Sequence, residues 1–113
     1  MSRRITQVNE LIQQELGKLF TRETKFPPGC LVTITKVITS RDLGQAKIFI
    51  SVLPATEREK IITVLNKQAG SLQYELGDII VLRKIPKLIF MPDLGQEKRA
   101  HIDELIDKIH KER

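Results

Sequence analysis

Between Thr56 and Gly77 one apolar stripe, Ile61, Leu65, Ala69, Leu72 and Leu76, recurs every three or four residues. That spacing belongs to a helix with one buried face. Gly70 stands in the middle of the stripe, where a glycine costs about 1 kcal/mol relative to alanine. Something other than helix stability must favour it, and the segment reads as a long helix interrupted by a kink near Ala69-Gly70. Thr56 opens the pattern as Thr-x-x-Glu, so Glu59 is expected to reach back to the Thr56 backbone N–H. Pro54 keeps any earlier helix from running through, and Gly77-Asp78 is expected to end the segment.

The flanking chain supplies what such a helix pair can pack on. Arg3–Thr21 reads as a helix with Ile5, Val8, Leu11, Ile12, Leu16, Leu19 and Phe20 on one face. Phe26-Pro27-Pro28-Gly29 breaks it. Leu31–Thr39, rich in Val, Ile and Thr, reads as a strand. Ser40-Arg41-Asp42-Leu43-Gly44 reads as a hairpin loop. In Ala46–Val52, Ala46, Ile48, Ile50 and Val52 face one way and Lys47, Phe49 and Ser51 the other. Ile79–Phe90 reads as a third strand and Met91–Gly95 as a turn. A last helix is expected from Gln96 to Lys111, its inner face Ile102, Leu105, Ile106 and Ile109, its cations balanced by Asp103, Glu104 and Asp107. The order predicts an α+β fold: a three-stranded sheet with helices packed on one face.

Composition narrows the function. At 113 residues, 41% hydrophobic and 29% charged, the chain is expected to form one globular domain spanning 1–113. No apolar run reaches the roughly 18–20 residues that cross a bilayer, and no cleavable leader begins the chain, so the expected location is the cytoplasm. Cys30 is the sole cysteine, which rules out an internal disulfide and a four-cysteine zinc site; a lone cysteine reads first as a small packed hydrophobe. His101 and His110 lack metal-pair spacing, and no triad, phosphate loop or dinucleotide fingerprint is present. The reading is of a non-enzyme with no catalytic residues, metal, cofactor or small-molecule substrate. The formal charge of +5 favours a polyanionic partner, nucleic acid before membrane.

Two features could meet that partner. A glycine-bearing break lets backbone approach a ligand with no Cβ between, and the N–H groups opening the second helix half favour an anion. Nearby, Arg83, Lys84 and Lys87 crowd around Pro86. They read either as an edge guarded against aggregation or as a phosphate-contacting ridge, and charge alone does not choose between these. With four Phe, one Tyr and no Trp, an aromatic stacking platform is not indicated. A kinked helix pair beside a basic strand is how KH-type domains clamp a nucleic-acid backbone.

Several spaced motifs, in order, resemble the ribosome-binding factor A family. They are Arg3–Leu19, Val32–Leu53 with Ser40-Arg41-Asp42-Leu43 and Ala46-Lys47, Leu65–Gly77, Leu82-Arg83-x-x-Pro86-x-Leu88-x-Phe90 and Ile102-Asp103-Glu104-Leu105. The resemblance implies a type II KH-like fold. It also implies an RNA-binding protein that joins the free small (30S) ribosomal subunit and assists late processing and folding of 16S ribosomal RNA, above all in the cold. It is expected to be a monomer when free. The family's kink is Ala-x-Gly, and here the stretch is Gln68-Ala69-Gly70. On this reading Lys67, Gln68, Ala69, Gly70 and Ser71 contact RNA backbone at the kink. Arg83, Lys84 and Lys87 hold phosphates, Arg41 and Lys47 extend the surface across the hairpin, and Arg3 and Arg4 add contacts at the domain's end. Two further classes stay open: a general single-strand RNA chaperone, and a protein-interaction domain whose basic edge meets an acidic partner.

Overall fold

In a computed structural model, which describes residues 3–23, 26–82 and 84–95, helix α1 (Arg3–Glu23) turns Val8, Ile12, Leu16, Leu19 and Phe20 inward. Leu11, expected on that face, sits at its margin and stays exposed. Strands β1 (Leu31–Thr39) and β2 (Gln45–Leu53) pair antiparallel, and β3 (Lys87–Pro92) pairs parallel to β2, giving the order β1-β2-β3. The alternation expected in β2 holds: Ala46, Ile48, Ile50 and Val52 are all fully buried. In β1 a bulge between Ile34 and Lys36 shifts the inward set. Val32 and Ile34 pack on the core before it, and Val37 and Thr39 are buried after it. Thr35, the extra residue, brings its hydroxyl within 2.6 Å of Asp93 Oδ2.

Parallel pairing of β2 with β3 needs a crossover connection. A 3-10 turn (Ala55–Glu57) leads into helix α2 (Arg58–Lys67), and helix α3 (Ala69–Ile79) follows after Gln68. Ile61, Leu65, Leu72 and Leu76 carry one buried stripe across both helices, as the spacing predicts. They meet Leu88 and Phe90 of β3 and the inward face of β2 in a single cluster closed by α1. Each such aliphatic side chain contributes about 1.5–3 kcal/mol relative to exposure. Sheet below, helices above: the α+β architecture with helices on one face is as expected.

Three local expectations fail, each for a physical reason. Thr56 does not cap α2. Pro54 C=O accepts from Glu57 N–H (3.1 Å), which winds the entry into a 3-10 turn and makes Glu57 the N-cap, with no side-chain cap bond. Gly77 does not end α3; it keeps helical backbone, and the helix runs to Ile79, with Ile80 N–H still bonded to Leu76 C=O (2.8 Å). Finally, β3 begins at Lys87 rather than at Ile79, and it continues through Met91 and Pro92, both expected in the turn. Pro86 has no N–H for a ladder, so pairing starts immediately after it, with Lys87 N–H bonded to Gly44 C=O at 3.0 Å. Val81, expected inside a strand, is almost wholly exposed. The expected last helix, Gln96–Lys111, and Arg83 lie outside the described residues.

Candidate nucleic-acid interface

The kink is built by one residue. Gln68 takes φ −91° and ψ 0°, ending α2 and starting α3. Its N–H bonds Val64 and Leu65 carbonyls at 3.1 Å each, and its own C=O accepts from Leu72 N–H at 2.9 Å. That last bond is the first rung of α3, so the amides of Ala69, Gly70 and Ser71 lie ahead of the helical ladder, as the first amides of any helix do. Lys67, Gln68, Gly70 and Ser71 are exposed, while Ala69 packs partly against the core. A Cβ placed on Gly70 would meet nothing within 4 Å, and its φ is not left-handed. Neither packing nor backbone geometry asks for glycine here; the outcome is an open patch of main chain. Asn66 anchors it: its Nδ2 donates to Phe90 C=O (3.1 Å) and its Oδ1 accepts from Phe90 N–H (2.9 Å). One side chain thereby mimics a neighbouring strand along the edge of β3.

Most of the predicted cations gather elsewhere, at the hairpin end of the sheet. The β1–β2 loop is locked by Asp42, whose Oδ1 accepts from Ser40 Oγ (2.7 Å) and Gly44 N–H (2.9 Å). These bonds, with the field of Lys84, hold the Asp42 carboxyl below the usual carboxylate range. Lys84 is therefore close to the loop that displays Arg41. Lys87 begins β3 beside Gly44 and pairs with Gln45. Helix α1 runs antiparallel to β1, with Asn9 bonded to Thr39 and Gln13 to Ile34 C=O. Its exposed first residues, Arg3 and Arg4, therefore point toward the same end. Because Ala46 and Leu88 face the helices, Lys47 and Lys87 project from the opposite face of the sheet. Lys36, not singled out in the sequence, joins them there with its Nζ 4.6 Å from the centre of the Phe49 ring. Only the bulge in β1 reveals which way Lys36 points.

The site therefore has two parts. Lys67–Ser71 form the kink in the helix layer, and Arg3, Arg4, Arg41, Lys84 and Lys87 cluster at the hairpin end. Helix α3 links them, running from the kink toward Ile85, whose C=O accepts from Gln73 Nε2 at 3.1 Å. Along α3 a groove is lined by Gly70, Gln73, Tyr74, Gly77, Asp78 and Ile85. Tyr74 is 76% exposed in it. The count of aromatics points away from this ring; its spacing of four residues from Gly70 on one helix is the signal the sequence offers.

The family model described as ribosome-binding factor A matches residues 4–106. The chain belongs to this family. A ribosome-binding factor A of Pseudomonas fluorescens (strain Pf-5) is 42% identical over 108 residues, covering 93% of this chain and 81% of the relative. That of Opitutus terrae is 35% identical, covering 99% of this chain and 92% of the relative. The fold agrees with the crystal structure of ribosome-binding factor A from Thermus thermophilus, at a TM-score of 0.70 and 18% identity over 78% of this chain and 94% of that one. Coordinates of the Thermus thermophilus factor fitted into a cryo-EM map of a 30S–RbfA complex match with a TM-score of 0.56 and 17% identity, over 81% of this chain and 93% of that one. The described residues of this chain contain no cluster of His, Cys, Asp or Glu able to hold a metal. Nor does any described helix have the length and apolarity to cross a membrane.

Proposed function

We propose that the chain is an assembly factor of the small ribosomal subunit that binds free 30S particles through their RNA. The observation that carries this reading is the exposed main chain at Gly70, which has no Cβ and open space beside it, in the turn of α3 whose first amides lie ahead of the helical ladder. Backbone N–H groups at a helix start suit a phosphate. Arg3, Arg4, Arg41 and Lys84 would hold further phosphates at the hairpin end, Lys47 and Lys87 would do so from the sheet's far face, and Arg83, outside the described residues, is proposed as a further phosphate contact from the sequence alone. The partner follows from a relative of the same fold, described in complex with 30S. On this reading the protein steadies 16S ribosomal RNA late in maturation, most usefully in the cold, when misfolded RNA helices open slowly. The work is done by binding alone, with no catalytic group.

Cosedimentation with separated small subunits and with joined ribosomes, at two salt concentrations, tests the proposal. Binding to free small subunits that weakens steeply with salt is expected. Equal binding to joined ribosomes or naked RNA would instead favour a general RNA chaperone. Binding that survives removal of the RNA would favour an acidic protein partner.

A further inference from the structure

Gly70, Gln73, Tyr74, Gly77 and Asp78 are spaced i, i+3, i+4, i+7 and i+8, so they share one face of α3, and Ile85 walls the groove they line. Within it, Tyr74 is the odd member. Phe20 packs edge-on to Phe26 and tilted against Phe90, and Phe49 lies under Lys36, whereas the Tyr74 ring has neither a ring contact nor a hydrogen bond among the described residues. It is flanked one turn before and one turn after by glycines, which leave its sides uncovered; a Cβ at Gly70 would stand in open space. Gln73 is fixed by its bond to Ile85 C=O and serves as floor. Asp78, four residues on, is exposed, and its carboxylate has no hydrogen-bond partner among the described residues.

A flat π-face next to an acceptor-only group is a specific chemical demand. The ring calls for a planar partner, and the carboxylate for a partner with N–H donors on its edge. A phosphate fails the second condition, since Asp78 would repel it. An unstacked nucleobase meets both, and guanine meets them best because its N1–H and N2–H can reach both carboxylate oxygens at once. The spacing agrees. Gly70 to Tyr74 is about 6 Å along the helix axis, the separation of phosphate and base within one nucleotide. A phosphate on the kink amides would thus set its own base over Tyr74. We propose that this groove is a base-binding site in which Tyr74 stacks one unpaired RNA base and Asp78 reads its donor edge, with guanine preferred. The inference rests on the RNA-binding reading above and adds a base to it.

Because Tyr74 is the only tyrosine and there is no tryptophan, intrinsic fluorescence of the whole chain reports on this site alone. Short oligouridines carrying one central G, A or C are titrated against the wild type and Asp78→Asn. In parallel, affinity for free small subunits is measured for the wild type, Tyr74→Ala and Tyr74→Phe, with thermal melting to confirm folding. Quenching should be strongest for the G-containing oligomer and lose that preference in Asp78→Asn. Tyr74→Ala should weaken subunit binding about 5- to 150-fold, and Tyr74→Phe should stay near the wild type. If folded Tyr74→Ala binds subunits as the wild type does, or Tyr74→Phe loses as much as Tyr74→Ala, the stacking site is overturned while the assembly-factor reading stands. Equal quenching by all oligomers, unchanged in Asp78→Asn, overturns the role given to Asp78. Failure of the wild type itself to bind small subunits overturns both readings.

Discussion

Replacing Gly70 with alanine should push stability and RNA binding in opposite directions. Gly70 is the second residue of α3, keeps helical backbone, and has open space where a Cβ would stand. Alanine there restores helix propensity and restricts the unfolded chain, together worth about 0.5–1 kcal/mol near a helix end. For a chain of this size that is a rise of about 2–5 °C in melting temperature. On the proposed reading, the alanine methyl group would crowd a phosphate approaching the Gly70 main chain. Hydrogen bonds to a charged group are worth about 1.5–3 kcal/mol each, so losing one weakens small-subunit affinity roughly tenfold or more. Calorimetry and cosedimentation on one preparation measure both effects. A lower melting temperature would refute the open geometry at Gly70, and a more stable variant with undiminished binding would refute backbone recognition at the kink.

Other outcomes follow from the same structure. Lys84→Glu with Lys87→Glu should reduce small-subunit affinity and flatten its dependence on log salt by about 1–2 in slope, with the melting temperature nearly unchanged because both side chains are exposed; an unaltered salt slope would remove the hairpin end from the interface. Asn66→Ala leaves Phe90 N–H and C=O without their partner, at a cost of about 1–3 kcal/mol, read by denaturant unfolding, with faster amide exchange at Phe90. Asp42 has a folded pKa depressed below its unfolded value of about 3.9. Its stabilising contribution is therefore complete above the unfolded pKa and is lost as pH falls from there through the folded value. Carboxyl NMR titration should show the depressed midpoint, and Asp42→Asn should flatten the acid limb of the stability profile.

Some of this is legible in the sequence, and the rest is hidden for identifiable reasons. The stripe through Ile61, Leu65, Leu72 and Leu76 and the alternation of β2 depend on local periodicity, and both hold. Gly70 is conspicuous because it breaks a rule of helix composition with no repair nearby. The Thr56 cap fails because Pro54 offers its carbonyl to Glu57 and captures the turn first. The start of β3 escapes a local reading because Ile79–Leu82 carries strand-like residues, while the helix crossover that claims Ile79 depends on contacts with β3 and α1, distant in sequence. The alternation of β2 already turns Lys47 away from the apolar face, but no local periodicity shows that Lys87 leaves the sheet on that same side, away from the kink. That depends on register, and register is set by pairing with β2.

The parallel docking of β3 also fixes a chronology. Strands β1 and β2 are joined by a five-residue loop and can close as soon as both are made. β3 can reach β2 only after the whole α2–α3 excursion has been synthesised and folded back, and Asn66 finds its partner only when Phe90 arrives. The main chain at Gly70 is therefore held in place late, by nearly the last part of the described chain to leave the ribosome that makes it. A nascent chain still short of Phe90 has the glycine but not the scaffold that aims it.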